Sequence, residues 1–224
     1  MANRKPLAVG EWYHCYNRGV DKRKIFQSKA DYQRFLSLMY VANGTEAVHI
    51  SNLPSQNLED ILQNSKIKKG DLIVEIGAYA LMPNHPHFAI KEIIEGGIAL
   101  YMQKLFTGYT MYFNKKYERT GALMAGTYKS KHIAEDRYMK WLISYIHLNP
   151  VELLEPRWKE GIGDIKSISK MLGQFEYSSL ADFSGKKRTA RNILGKEVFG
   201  LFDSFPSTRD MLRDMQLYYQ EYQG

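Results

Sequence analysis

The stretch "LIVEIGAYALMPNHPHFAIKE", Leu72 to Glu92, decides the fold that we expect for this chain. Its first half is apolar and rich in β-branched residues, which predicts a strand that is buried on at least one face. The Pro83–Asn84 pair is typical of a turn, and "HPHFAIKE" then predicts a second strand, so the two form a β-hairpin. His85 and His87 are two residues apart on this second strand, which places both imidazoles on one face of the sheet.

The segments on either side of the hairpin predict the element order β-α-β-β-α-β. Upstream, "WYHCYNRG" (residues 12–19) predicts a strand, and "SKADYQRFLSLMYVAN" predicts a helix with Asp31 in its first turn. Downstream we expect a helix from about Ile98 to Tyr117, a strand in "ALMAGTYKSKHI", and a further helix in "EDRYMKWLISYIHLN" that Pro150 closes. This order predicts an α+β, ferredoxin-like antiparallel sheet with two helices on one face.

The chain divides by composition into a core and an extension. Residues 1–150 hold the predicted βαββαβ unit, interrupted by a polar insertion at about residues 44–70 that has one short helical patch around Leu58. Residues 151–224 predict a mostly helical C-terminal extension. Its last helix follows Ser207, which has Asp210 at the spacing of a capping box.

Composition limits the classes of function. The chain has 224 residues and is 44% hydrophobic, which suits a folded globular protein, and no apolar run is long enough to cross a membrane. The formal charge is +7 and 13% of the residues are aromatic, which favours single-stranded nucleic acid as a partner, although a basic charge also aids solubility alone. Cys15 is the only cysteine, so we expect no intrachain disulfide and a cytoplasmic location.

Two short motifs carry candidate chemistry. Neutral imidazoles at His85 and His87 suit a divalent cation and leave part of its coordination open, although such a pair is also common at a solvated strand end. In "SYIHLNP", Tyr145 and Asn149 are four residues apart and share a helix face. Asn149 could then supply an amide oxygen as a third ligand. Alternatively, Tyr145 belongs to the buried helix face and Asn149 only ends the helix.

Five blocks resemble a known family when they are taken together. They are "YHCYNRGVDKRKIF", "YALMPNHPHF", "YTMYFNKKYERTGAL", "TYKS" and "YIHLNPV", and over about residues 11–150 they resemble the single-tyrosine HUH transposases, most closely the REP-associated tyrosine transposases. The resemblance implies that Tyr145 is the nucleophile and that His85, His87 and Asn149 hold a divalent metal ion, Mg²⁺ or Mn²⁺.

The same resemblance implies a function and partners. It predicts a metal-dependent endonuclease and strand transferase that acts on single-stranded DNA through a 5'-phosphotyrosine, at sites flanked by hairpins. Single-stranded or hairpin DNA is then the partner, a homodimer is one expected assembly, and no membrane is involved. Two alternatives stay open: a domesticated DNA-binding regulator without catalysis, and a metal-dependent nuclease in which water attacks.

Other residues have weaker predicted roles. Arg18 is a candidate phosphate contact, and Lys129 and Lys131 alternate onto one face of the last core strand, where they contact phosphates or are simply solvated. Pro86 lacks an N–H group on an expected inner strand, which predicts a perturbed ladder around an intact site. His14 on the first strand has no predicted role.

Overall fold

A computed structural model of the chain describes residues 7–53, 55–160 and 163–223. Its sheet has four strands in the order β2-β3-β1-β4, and every neighbouring pair is antiparallel. The strands are β1 (Trp12–Tyr16), β2 (Val74–Met82), β3 (His85–Glu92) and β4 (Lys129–Ile133). The α+β, ferredoxin-like arrangement predicted from the element order is therefore confirmed.

Helices cover both faces of this sheet. They are α1 (Lys29–Ala42), α2 (Leu58–Gln63), α3 (Gly97–Lys116), α4 (Asp136–Leu148), α5 (Ile165–Gln174), α6 (Leu180–Phe183) and α7 (Thr208–Gln223). The large side chains of Tyr13, Phe88 and Ile90 belong to the core shared with α1 and α3. The small side chains of the other face, among them Ala80 and Ala89, pack against α4. No described helix is long and apolar enough to cross a membrane.

The C-terminal extension packs on the outer side of α4. Leu148 and Val151, at the end of that helix and just beyond it, share a buried cluster with Trp158, Leu172 and Met211. The apolar residues of α4 therefore contact the sheet on one side and the extension on the other. Ser207 and Asp210 form the predicted cap of α7: the Ser207 hydroxyl donates to Asp210 Oδ2 at 2.6 Å and accepts from the Asp210 N–H at 3.2 Å.

Several predicted boundaries were wrong. β1 ends at Tyr16 rather than residue 19, and β4 covers only the end of the predicted strand, since Gly126 within that segment adopts a positive φ angle of 82° that interrupts an extended chain. Pro150 does not end the helical path, because a 3₁₀ turn continues from Asn149 to Leu153. A proline is tolerated there, since its missing N–H falls in the first turn.

The perturbed ladder expected at Pro86 is also absent from the paired strands. Pro86 lies opposite Leu81, whose N–H points away from β3 and donates to the carbonyl of Tyr177 at 2.9 Å. The Leu81–Pro86 pair therefore exchanges no ladder hydrogen bonds between β2 and β3. The proline nitrogen faces β1, beyond Tyr16, the last residue paired with β3.

The two ends of the 44–70 segment, which the sequence predicts to be an insertion, lie side by side. The Thr45 N–H donates to Asp71 O at 3.0 Å, and the Glu46 N–H donates to Lys69 O at 2.9 Å. Between them, α2 forms at the predicted helical patch, and its Leu58 and Ile61 side chains are buried in the core on the α1 side.

Candidate active site

The register of β1 and β3 gathers three imidazoles on the α4 face of the sheet. Tyr16 lies opposite His87 and His14 lies opposite Ala89, so the side chains of His14, Tyr16 and His87 point to the same side. The ring centroids of His85 and His87 are 4.8 Å apart, and those of His14 and His87 are 5.1 Å apart. The predicted histidine pair is thus joined by a third histidine that had no predicted role.

Helix α4 places Tyr145 against this cluster. The centroid of its ring lies 5.7 Å from that of His87 and 5.7 Å from that of His14. Asn149, one turn further along, is buried, and its Nδ2 donates to the backbone carbonyl of Tyr145 at 2.8 Å. A single chain therefore brings the strand histidines and the helix phenol together.

Hydrogen bonds hold the Nδ1 atom of each predicted histidine ligand. His85 Nδ1 lies 2.5 Å from Asn84 Oδ1, and His87 Nδ1 lies 2.9 Å from His14 Nε2. An amide oxygen only accepts, so His85 carries its proton on Nδ1 and keeps a lone pair on Nε2. His87 reaches the same state when it donates to His14. Metal-binding histidines are commonly held in this way by a partner on the other ring nitrogen.

Burial keeps these imidazoles neutral. It lowers the pKa of His85 to about 4 and the pKa of His87 well below its ordinary value, and the positive charges of Arg18 and Lys159 lower both further. Burial also lowers the pKa of His14 to about 4, with a smaller contribution from Lys131. Neutral imidazole is the form that binds a metal ion.

Exposed cations surround the site. Arg18 lies two residues beyond the end of β1. Lys129 and Lys131 lie opposite Tyr16 and His14 in the register, which turns both lysine side chains to the site's face. Lys159 comes from the extension, and its Nζ lies 5.4 Å from the ring centroid of Tyr145. The sequence offered no signal for Lys159, because only the packing of its neighbour Trp158 brings it to α4.

The Tyr145 phenol is half-buried. Burial raises its pKa above the ordinary value, an effect that its interaction with the Asn149 side chain opposes. The hydroxyl is therefore protonated at neutral pH, and its use as a nucleophile requires a neighbouring positive charge or a proton acceptor.

Among the described residues, no group of three His, Cys, Asp or Glu side chains is placed to hold a metal ion. Three imidazoles alone thus do not form a metal site here. A ligand set that includes the histidine pair needs a further ligand of another type, such as an amide oxygen.

His147 has a structural place. It is fully buried, and its Nε2 lies 2.7 Å from the hydroxyl oxygen of Ser179, which also accepts from the Tyr79 N–H at 2.9 Å. The contact joins α4, β2 and the extension. His132, in contrast, is exposed and lies 2.9 Å from the carboxylate of Glu11.

Acid should destabilise the fold through His147. Burial, with a smaller effect of Arg188, lowers its pKa to about 3. Between pH 6.5 and about 3 the unfolded chain binds a proton that the folded chain excludes, so the free energy of unfolding falls with falling pH, by about 1.4 kcal/mol per unit for this group. Urea unfolding in EDTA at pH 7, 6 and 5 should give a shallower pH dependence for His147→Gln than for the wild type. Parallel dependences would contradict the assignment.

No protein-family model matches the chain, and no curated protein matches it. The chain is similar to a solved transposase structure. That structure is a REP-associated tyrosine transposase bound to a REP hairpin, and it shares 13% sequence identity with this chain. The similarity covers 92% of this chain and 97% of the other, with a TM-score of 0.48.

Proposed function

We propose that this protein cleaves and rejoins single-stranded DNA through a covalent bond between Tyr145 and a 5'-phosphate, with a divalent metal ion bound by His85, His87 and Asn149. One observation carries the proposal: the Tyr145 phenol on α4 lies against the imidazole cluster on the sheet, with ring centroids 5.7 Å apart. Tyr145 is only half-buried, which supports a role in which its phenol meets a phosphodiester.

The donor groups fit a hard or borderline divalent cation. The Nδ1 atoms of His85 and His87 are both occupied, which leaves each Nε2 for a metal. The NH₂ group of Asn149 is held by the Tyr145 carbonyl, so the amide oxygen is the group that remains. Mg²⁺ or Mn²⁺ bound there would polarise the scissile phosphate and stabilise the charge that develops on its oxygens.

The proposed reaction exchanges one phosphodiester bond for another, so that a second DNA end can later reverse it. Tyr145 Oη attacks phosphorus, the new O–P bond replaces the P–O3' bond, and the 3'-oxygen leaves and takes up a proton as the phenol loses one. A phenol with its ordinary pKa of 10 is ionised at pH 7 at a cost of about 4 kcal/mol, and the raised pKa of Tyr145 increases that cost. A divalent cation held beside the phenol would offset part of it.

Four exposed cations near the site would favour DNA as its partner. The positive charges of Arg18 and Lys159 lower the pKa of both imidazoles of the histidine pair, which supports a role for these two side chains as contacts of the proposed scissile phosphate. Lys129 and Lys131 extend the positive charge along the edge strand β4. A DNA backbone that follows this face would contact cations at the site and on both sides of it.

A covalent adduct is the test. Single-stranded DNA that contains a hairpin and is labelled at its 3' end, the part that a 5'-phosphotyrosine retains, is incubated with the protein and Mg²⁺ or Mn²⁺, then analysed on a denaturing gel. We expect a protein–DNA band that EDTA prevents. Cleavage without such a band would support a nuclease that uses water, and binding without cleavage would support a regulator without catalysis. Either outcome would overturn the proposal.

His14 positions His87 in this site, because its Nε2 holds the Nδ1 of the proposed ligand. Loss of such a partner typically weakens metal binding about tenfold to a hundredfold, so His14→Ala should weaken Mn²⁺ binding to that extent in an EPR titration of the free ion. His132→Ala removes an exposed imidazole from the neighbouring strand and should leave the affinity unchanged. Equal affinities of wild type and His14→Ala would show that His14 only fills space.

A further inference from the structure

An open groove with a volume of about 910 Å³ lies beside Pro83, at the turn between β2 and β3. Its aromatic lining, including Phe26 and Phe113, belongs to the core on the α1 and α3 side of the sheet. The groove is therefore on the opposite side of the turn from the imidazole cluster, and the proposed cleavage reaction does not use it. We call it the basic groove.

Positive charge dominates the basic groove. Arg23, Lys24, Lys29 and Arg119 line it, against one acidic residue, Asp21. The Asp21 carboxylate is mostly exposed, and its contact with the Arg23 guanidinium, at 3.8 Å, is long for an ion pair. The groove thus has an excess of cationic groups, as a binding site for a phosphate-bearing ligand requires.

A stack of three aromatic rings forms one wall. The rings of Phe26 and Tyr32 are 4.4 Å apart and inclined by 16°, and those of Tyr32 and Tyr177 are 3.7 Å apart and inclined by 9°. Phe26 is buried, whereas Tyr32 and Tyr177 are half-buried. Burial raises the pKa of Tyr32 to about 12, so this phenol stays neutral. Flat rings beside cations are the combination that binds unpaired bases.

Hydrogen bonds connect the groove directly to the proposed metal site. The N–H groups of Ile25 and Phe26 both donate to the carbonyl of Pro83, at 2.8 and 3.1 Å. The next residue, Asn84, accepts from the Gly19 N–H at 2.9 Å through its backbone carbonyl and holds His85 Nδ1 with its side chain. The wall of the groove and a proposed metal ligand are therefore fixed to the same turn.

We propose that the basic groove binds unpaired nucleotides of the DNA strand whose phosphodiester is cleaved, with a base against the Tyr32–Tyr177 stack and phosphates on Lys24 and Lys29. The proposal rests on the proposed function, which places the strand at the other side of the turn. Paired bases are hidden inside a duplex, so only a single-stranded segment presents faces for stacking. An acidic peptide would use the cations and leave the aromatic wall without a partner.

A binding assay without turnover tests this. The protein in EDTA is titrated into two DNA hairpins, one blunt and one with a single-stranded tail that contains 2-aminopurine, whose fluorescence is quenched by stacking. Wild type should bind the tailed hairpin more tightly and quench its probe. Tyr177→Leu should bind the tailed hairpin about tenfold more weakly, with the quenching removed, and should bind the blunt hairpin as wild type does. Tyr40→Leu is the matched control, because Tyr40 is also a half-buried tyrosine and lies at the opposite end of α1 from Tyr32. This variant should bind both hairpins as wild type does.

A second variant changes only exposed side chains, so it should fold as wild type does. Lys24 and Lys29 are exposed, and Lys24→Gln/Lys29→Gln should reduce the salt dependence of tailed-hairpin binding by about 0.7 in log–log slope for each phosphate that is no longer neutralised. Unchanged affinity and quenching in Tyr177→Leu would overturn the proposal. A second contrary result would come from polyglutamate: wild type binds it, the lysine variant does not, and the lysine variant still binds the tailed hairpin as tightly as wild type does. That result would assign the groove to an acidic peptide and overturn the proposal. Absence of a covalent adduct in wild type, with these binding differences intact, would contradict the cleavage reaction and leave the groove assigned.

Discussion

Tyr145→Phe is expected to form no covalent adduct with DNA and to lose at least about a thousandfold in strand cleavage. The substitution removes only the hydroxyl oxygen that the proposed mechanism uses as the nucleophile. The ring remains, and with it the packing of Tyr145 against α4's neighbours in two apolar clusters. DNA binding should therefore be kept, because the surrounding cations Arg18 and Lys159 are unchanged.

The measurement is the denaturing gel that detects the adduct, accompanied by a binding titration in EDTA. Tyr138→Phe is the matched control, since Tyr138 lies two turns earlier on α4, where its ring centroid is 5.4 Å from that of Trp141. Because the hydroxyl of Tyr138 is about two turns away from the proposed site, Tyr138→Phe should form the adduct at the wild-type rate. An adduct that persists in Tyr145→Phe would assign the nucleophile to another residue and overturn the mechanism.

Trp158→Ala should have the largest effect on stability. Trp158 is 1% exposed and is among the largest fully buried side chains of the described residues. It packs with Leu148 and Val151, where α4 meets the extension. Truncation of a buried tryptophan leaves a cavity and typically costs about 3–5 kcal/mol in the free energy of unfolding. Urea unfolding of wild type and variant gives this difference directly.

The same substitution should also impair the reaction. Loss of Trp158 loosens the packing that fixes the end of α4, and with it the position of Asn149. Trp158→Phe retains a large ring and should recover a substantial part of both stability and adduct formation. A stability change below about 1 kcal/mol in Trp158→Ala would show that the cluster relaxes around the space.

The hydrophobic pattern carried enough information to predict the architecture. The apolar, β-branched run within Leu72–Glu92 and the turn residues between its halves predicted the hairpin, and Asp31 marked the first turn of α1 correctly: its carboxylate accepts from the Ser28 N–H at 2.9 Å. These features are local. Each depends on residues that are close together in the sequence, so the pattern contains all the groups that take part.

The missed parts of the site depend on contacts between distant segments. His14 could face either side of β1 until the register set Tyr16 opposite His87 and thereby turned His14 to the same face. Lys159 reaches Tyr145 only because the extension folds back on α4. The basic groove combines Lys24, Arg119 and Tyr177, which are far apart along the chain, and no local pattern could bring them together.

The small residues beneath α4 fix the distance between this helix and the sheet. Ala78, Ala80 and Ala89 form the surface on which the helix rests, and a Cβ atom added at Gly77 would come within 2.8 Å of the Trp12 ring and 3.2 Å of the Met139 methyl group. These small side chains set the distance between α4 and the sheet, and with it the distance between the Tyr145 phenol and the histidines of β1 and β3, although they are not part of the proposed site. Valine in place of one of these alanines would move α4 away from the sheet and lengthen the distance from the Tyr145 phenol to the histidines, without altering any reactive atom.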